Sequence, residues 1–238
     1  MWHAEKRAST LCAAHAAEAF LLETIKTTIL VISALFPIVN PLGGSPIFLA
    51  MTREYTAPAR RMLSQRIAIN SFLLLMASFL VGTHVLAFFG ISLPVVQVGG
   101  GLIVISTGWS LLGEKDEDDR ETAHRSDMDA QDIFRHAFYP MTLPLTVGPG
   151  SISVAITLGA NAPRHLPQNL LAILGALIGS VLIAVSVFLC YGFADRLARL
   201  VGTTGMSVIM RLSSFLLVCI GVQIFWNGAK VLLESLGK

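Results

Sequence analysis

Charge is confined to a few places in this chain. Lys, Arg, Asp and Glu cluster near the N-terminus, around residues 53–66, across 114–136 and near 195–211, and long uncharged runs lie between. Each run approaches or exceeds the roughly 20 residues a helix needs to cross the hydrocarbon of a bilayer. With 54% of residues hydrophobic, 13% charged and a mean hydropathy of +0.69, the chain has too little polar surface to cover a water-soluble domain. Lipid is its solvent, and in lipid each run must satisfy its own backbone hydrogen bonds, as a helix does. The fold class is all-α membrane.

Apolar length places six spans at about 22–52, 67–89, 94–112, 134–160, 169–193 and 206–229. Six crossings put segments 53–66, 113–133 and 194–205 on one face, and the termini with 90–93 and 161–168 on the other. The first face carries ten basic residues: Arg53, Arg60, Arg61, Arg66, Lys115, Arg120, Arg125, Arg135, Arg196 and Arg199. The second carries six: Lys6, Arg7, Lys26, Arg164, Lys230 and Lys238. The positive-inside rule makes the first face cytoplasmic and puts both termini outside. The acidic run from Glu114 to Glu121 contributes little to orientation and reads as a solvated loop, without the ligand spacing or glycine turn of a calcium loop. Residues 1–21 read as an uncleaved polar or amphipathic extension, and a disordered start would give the same pattern. The chain is then one membrane domain over 1–238: the extension 1–21, a three-span set 22–112, a cytoplasmic loop 113–133 and a second three-span set 134–238.

The first and fourth spans are longer than a straight crossing requires, and both are interrupted by Pro and Gly. Phe36-Pro37-Ile38-Val39-Asn40-Pro41-Leu42-Gly43-Gly44-Ser45-Pro46 aligns with Tyr139-Pro140-Met141-Thr142-Leu143-Pro144-Leu145-Thr146-Val147-Gly148-Pro149 at a constant offset, with all three prolines matched. Each copy opens a set of three spans, so the second set is inverted relative to the first. A 3+3 inverted repeat with broken helices in corresponding positions is the pattern of a secondary transporter, whose site lies near the midplane between the breaks.

The physical reason is backbone hydrogen bonding. A proline lacks the N–H and clashes with the preceding turn, so three within ten residues cannot sit in a continuous helix. The freed groups need neighbouring helices, water or a polar ligand as partners, and the glycines allow close approach to the backbone. Half-helices starting near Pro46 and Pro149 would offer N–H groups to a carboxylate, and the halves before them would offer carbonyls to an ammonium group or cation. The expected substrate-binding residues are Asn40, Pro41, Gly43, Gly44 and Ser45 in the first break, with Thr142, Pro144, Thr146, Gly148, Gly150 and Ser151 in the second. Phe36, Phe48 and Tyr139 are expected to limit side-chain volume by walling the cavity.

At these residues the chain resembles the MarC family of bacterial integral membrane proteins. The resemblance rests on Asn40-Pro41-Leu42-Gly43-Gly44-Ser45-Pro46, on Pro144 followed by Gly148-Pro149-Gly150-Ser151-Ile152, and on Phe89-Gly90-Ile91-Ser92-Leu93-Pro94 leading to Gly99-Gly100-Gly101, and covers nearly the whole chain. It implies six spans in the bacterial inner membrane and transport of small neutral amino acids such as alanine or glycine. One departure is Gln97, where many members carry an Arg early in the third span, while Arg211 keeps the counterpart in the sixth.

Other polar residues within spans read as structural. Arg211 and His84 lie near span ends and suit the interface, and Asn70, Gln97, Gln223 and Asn227 suit interhelical hydrogen bonds. No Asp or Glu lies centrally in a span, so a coupling cation, H+ or Na+, would have to use carbonyls and hydroxyls. Cys12, Cys190 and Cys219 have no metal-ligand spacing, and no cofactor motif is present. A net charge of +2 without a basic stripe sets nucleic acid aside. An intramembrane enzyme fits poorly, because HExxH, a Walker loop and a pair of intramembrane aspartates are all missing. A channel or facilitator for small polar solutes is the alternative to a transporter, and oligomeric state leaves no mark on the sequence.

Overall fold

The computed structural model describes residues 2–52, 55–113, 137–163 and 168–236, and among them the regular structure is entirely helical. The helices are α1 (Trp2–Val39), α2 (Pro41–Met51), α3 (Ala57–Phe88), α4 (Leu93–Gly113), α5 (Ala137–Thr146), α6 (Pro149–Ala160), α7 (Gln168–Gly192) and α8 (Ala194–Leu236). Five stretches are long and apolar enough to cross a membrane: Phe20–Met51, Ala57–Phe88, Leu93–Gly113, Gln168–Gly192 and Thr204–Leu236. The pair α5 and α6, bent by 69°, makes a sixth if counted as one span. The outer faces carry large apolar side chains such as Leu73, Leu80, Trp109, Phe215 and Trp226, as contact with lipid demands.

The span centres fall where apolar length puts them, but several ends do not. Instead of starting at 67, α3 begins at Ala57, with the Thr56 hydroxyl accepting from the Ala59 N–H at 3.4 Å and a proline in its first turn. Segment 194–205, expected as a loop, is helical apart from Gly202 (φ 74°, ψ 169°). Charged residues end an apolar run without ending a helix, which is why both starts are longer than hydropathy indicates. Residues 2–21 continue directly into the first span as helix, consistent with an alanine-rich stretch free of Gly and Pro. The expected cytoplasmic loop 113–133, with its acidic run, lies outside the described residues except for Gly113, which closes α4.

Two packing arrangements position the site. The first is a core between α1, α3 and α7, filled by Val31, Leu35, Leu63, Ile67, Leu75, Ile183 and Val187. The second is a seam between antiparallel α4 and α8 where backbone meets backbone. A Cβ added at Gly101 would lie 2.5 Å from the Phe225 nitrogen, one at Gly108 2.9 Å from the Ser214 carbonyl oxygen, and one at Gly228 2.5 Å from the Pro94 carbonyl oxygen. Small residues allow this approach, and dispersion between close helices holds them in a medium as apolar as their side chains. The turn from α3 to α4 is closed by Gly90 at φ 68°, with the Ile91 N–H returning to the Leu86 carbonyl at 2.9 Å.

Arg60 and Asp195 form an ion pair at 2.9 Å, which ties the start of α3 to the start of α8 and puts segments 53–66 and 194–205 at one end of the bundle. At the other end the Thr28 hydroxyl, which donates to the Thr24 carbonyl at 2.8 Å, lies 3.3 Å from the Gly175 carbonyl oxygen, so the beginning of the first span sits beside the early turns of α7.

Candidate functional site

The first break is one residue. Asn40 has φ 45° and ψ 59°, a left-handed conformation that Asn tolerates better than most residues, and its side-chain oxygen accepts from the Gly43 N–H at 3.1 Å. In a continuous helix the Pro37 carbonyl would take the N–H of residue 41 and the Val39 carbonyl that of residue 43. Pro41 has no N–H and Gly43 gives its own to Asn40, so both carbonyls lose those partners at the end of α1. The second break is longer. Tyr139 and Leu143 are extended within α5, the Leu143–Pro144 peptide is cis, and Gly148 is extended before α6 begins at Pro149. Leu143 and Asn40 each precede the middle proline of their motif.

Between the breaks lies a cavity of about 340 Å³, toward the small end of the roughly 300–1,000 Å³ typical of ligand sites. Asn40, Gly43 and Gly44 line it from the first break, and Pro144, Thr146, Gly148, Gly150 and Ser151 from the second. Eight of the eleven expected residues therefore meet in one place. The N-terminal turn of α6, the positive end of a helix, brings Gly150 and Ser151 here with N–H groups that lack helical partners, and Val39, whose carbonyl lost its helical partner at the first break, also lines the cavity. Helix-end donors and a carbonyl freed at the first break therefore belong to residues around one small space.

Pro41, Ser45 and Thr142 are buried away from the cavity. Pro46 lies inside α2, not at its start, so the expected half-helix beginning near Pro46 begins at Pro41 instead. Ser45 serves the backbone, since its hydroxyl donates at 2.9 Å to the Leu42 carbonyl, the group that the missing N–H of Pro46 leaves unpaired. Thr142 donates to the Ala137 carbonyl at 2.6 Å, closing a wide turn of α5. The expected aromatic wall is also absent. Phe48 is fully buried in a stack on Tyr191 with ring centroids 4.7 Å apart, Tyr139 is exposed, and Phe36 does not line the cavity. Aliphatic side chains form the wall instead, among them Ile38, Ile47, Ile103, Val104, Leu145 and Leu217.

Tyr191, on α7, carries no sequence signal and ties the two breaks together. The Thr146 hydroxyl gives its one proton to the Met141 carbonyl at 2.7 Å, so the Tyr191 hydroxyl must be the donor in the 3.1 Å contact between them. The same hydroxyl fills the space where a Cβ on Gly44 would go. Gly44 is thus a packing position against Tyr191, whereas a Cβ on Gly148 would meet only the Pro144 carbonyl oxygen, at 3.1 Å.

Of the remaining polar residues, Asn70 reaches Thr142 at 3.5 Å and Gln97 reaches Thr157 at 3.4 Å, each joining two helices as expected. Gln223 and Asn227 pair with each other along one exposed helix face at 2.9 Å instead of crossing to a neighbour. His84 and Arg211 are exposed and outside the cavity. Among the described residues no cluster of His, Cys, Asp or Glu is disposed to hold a metal ion.

Residues 25–233 match the family described as MarC family integral membrane protein. The UPF0056 inner membrane protein MarC of Salmonella typhimurium is 30% identical over 221 residues, covering 90% of this chain and 99% of the relative. The protein of the same name in Citrobacter koseri is 31% identical over 223 residues, with the same coverage. A UPF0056 membrane protein of Methanocaldococcus jannaschii is 29% identical over 203 residues, 85% of this chain and 95% of that one. No solved structure matches.

Proposed function

This chain belongs to the MarC family of integral membrane proteins, and from that premise we propose that it is a secondary transporter of small neutral amino acids such as alanine and glycine. One observation carries the reading: both proline-broken segments contribute backbone and small residues to a single cavity, among them the N-terminal turn of α6 and Val39, whose carbonyl lost its helical partner. A zwitterion needs one donor cluster and one acceptor cluster, and partial charges at helix ends supply them without a full countercharge. A net-charged substrate would want a carboxylate or a cation, and the cavity is lined by neither.

The 3+3 inverted repeat is part of the same reading. The breaks occur at matched residues, α2 packs on α8 as α6 packs on α4, and α1 packs on α7 as α5 and α6 pack on α3. Alternating access would open the cavity to each side in turn, in a bacterial inner membrane with H+ or Na+ as a coupling cation held by carbonyls and hydroxyls. No reaction chemistry is assigned to the site.

Counterflow in proteoliposomes tests the reading. Labelled alanine should accumulate transiently against an opposing gradient of unlabelled alanine, and Gly148→Ala should lower alanine counterflow about tenfold while affecting glycine much less, since a methyl of mismatch typically costs about 1–3 kcal/mol. Absence of accumulation with rapid equilibration would favour an open pore. Equal losses for both substrates would remove Gly148 from the substrate contact.

Orientation is tested separately. The proposed orientation has the Arg60–Asp195 end in the cytoplasm and both termini outside, supported by the excess of basic residues at that end. A reporter active only in the cytoplasm, fused after Lys238, is expected to be silent, and strong activity would invert the topology.

A further inference from the structure

A second concavity lies on the outside of the bundle, between α3 and α7. Its floor is made by two small residues, Ala68 and Ala184, and its rims by Ile69, Phe72, Val181, Val185 and Phe188, with Gln65 and Arg61 at one end. The volume is about 590 Å³. The two helices are antiparallel, since a Cβ at Gly192 would lie 3.1 Å from the Ser64 hydroxyl, so the groove runs from the α7 C-terminus and the α3 N-terminus toward mid-bundle. From Arg61 to Phe72 is eleven steps, about 16 Å at 1.5 Å per residue. That is close to half of a hydrocarbon core about 30 Å thick, the depth of one leaflet.

The polar end of the groove is cationic. Arg61 and Arg196 both sit against the ring of Phe193, with guanidinium carbons 6.0 Å and 5.3 Å from its centroid. Asp195, the nearby carboxylate in sequence, is engaged by Arg60 at 2.9 Å. Among the described residues no carboxylate pairs with Arg61 or Arg196.

We propose that this groove is a binding site for an anionic glycerophospholipid of the leaflet at the Arg60–Asp195 end, with one acyl chain along Ala68 and Ala184 and the phosphate against Arg61 and Arg196. Apolar length matched to one leaflet selects a lipid chain, and two guanidinium groups facing the headgroup level select negative charge. A zwitterionic lipid fits the groove equally well but gains less from the arginines, so the discrimination resides in the headgroup. The site is independent of the cavity between the helix breaks.

Native mass spectrometry of the full chain in detergent tests this, with phosphatidylglycerol and phosphatidylcholine of identical acyl chains as probes. Phosphatidylglycerol should bind at least about fivefold more tightly, the advantage expected of one arginine at a membrane surface. Arg61→Gln should reduce the preference severalfold and Arg61→Gln with Arg196→Gln should bring the two lipids close together, whereas Arg61→Lys should keep most of the preference and the exposed Arg211→Gln all of it. Ile69→Trp, on the lipid-facing rim, should weaken both lipids. Three results overturn the proposal: equal binding of the two lipids by the unaltered protein, the same loss of preference in Arg211→Gln as in Arg61→Gln, or displacement of phosphatidylglycerol by millimolar inorganic phosphate, which would reveal a simple anion site.

Discussion

Asn40→Ala is expected to destabilise the protein by about 2 kcal/mol and to reduce the proposed transport more than tenfold, while Asn40→Gly costs only a few tenths of a kcal/mol. Two terms add in the alanine variant. The left-handed conformation at φ 45° costs an ordinary L-residue roughly 1–2 kcal/mol, and loss of the side-chain acceptor for the Gly43 N–H costs about 1 kcal/mol more. Glycine removes the first term and leaves only a small part of the second. The alanine variant relieves its strain by straightening the break, which returns the Gly43 N–H to the Val39 carbonyl and withdraws that carbonyl from the cavity. Thermal unfolding in detergent measures the stability difference, and counterflow measures the transport loss. If alanine and glycine variants have the same midpoint, the backbone conformation at residue 40 is not what holds the break open.

Gly101→Leu is expected to abolish accumulation of folded protein, with an energetic cost of about 3 kcal/mol or more. A Cβ alone at this position lies 2.5 Å from the Phe225 nitrogen and 2.8 Å from the Gly221 carbonyl oxygen, both backbone atoms that no rotamer change can move. The helices would have to separate along their length, forfeiting the close contact that holds them in lipid. Gly221→Leu should fail in the same way, since a Cβ there meets the Ile105 nitrogen at 2.7 Å. Gly99→Leu is the control: nothing lies within 4 Å of a Cβ at that position, and its cost should stay within about 0.5 kcal/mol. Size-exclusion yield of a fluorescent fusion separates the outcomes, and a well-folded Gly101→Leu would show that the seam is not a close contact.

Hydrophobic length alone located the spans, because bilayer thickness fixes how many apolar residues a crossing needs. It could not find where α3 and α8 begin, since Arg60, Arg61 and Arg66 before one apolar run, and Asp195, Arg196 and Arg199 before the other, lie in backbone that is already helical. The site was legible to the extent that proline forces the backbone to break: the residues at both breaks were readable, and eight of them surround one cavity. Ser45 was misplaced because its hydroxyl looks free in sequence, although its position just before Pro46 puts it in reach of the carbonyl that the proline orphans. The aliphatic residues of α4 and α8 in the cavity wall, and Tyr191 behind it, could not be found this way. They enter by packing against distant segments, and no local pattern of residue types marks them.

The glycine seam limits how this molecule can move. Because α4 and α8 approach through backbone atoms along Gly101, Gly108, Gly221 and Gly228, sliding one past the other would bring bulkier neighbouring residues against positions that admit no Cβ. The seam thereby favours their moving as one plank that joins the two halves of the chain. In the proposed transport cycle the broken segments would pivot on that seam, and the Tyr191–Thr146 contact would have to release as they do.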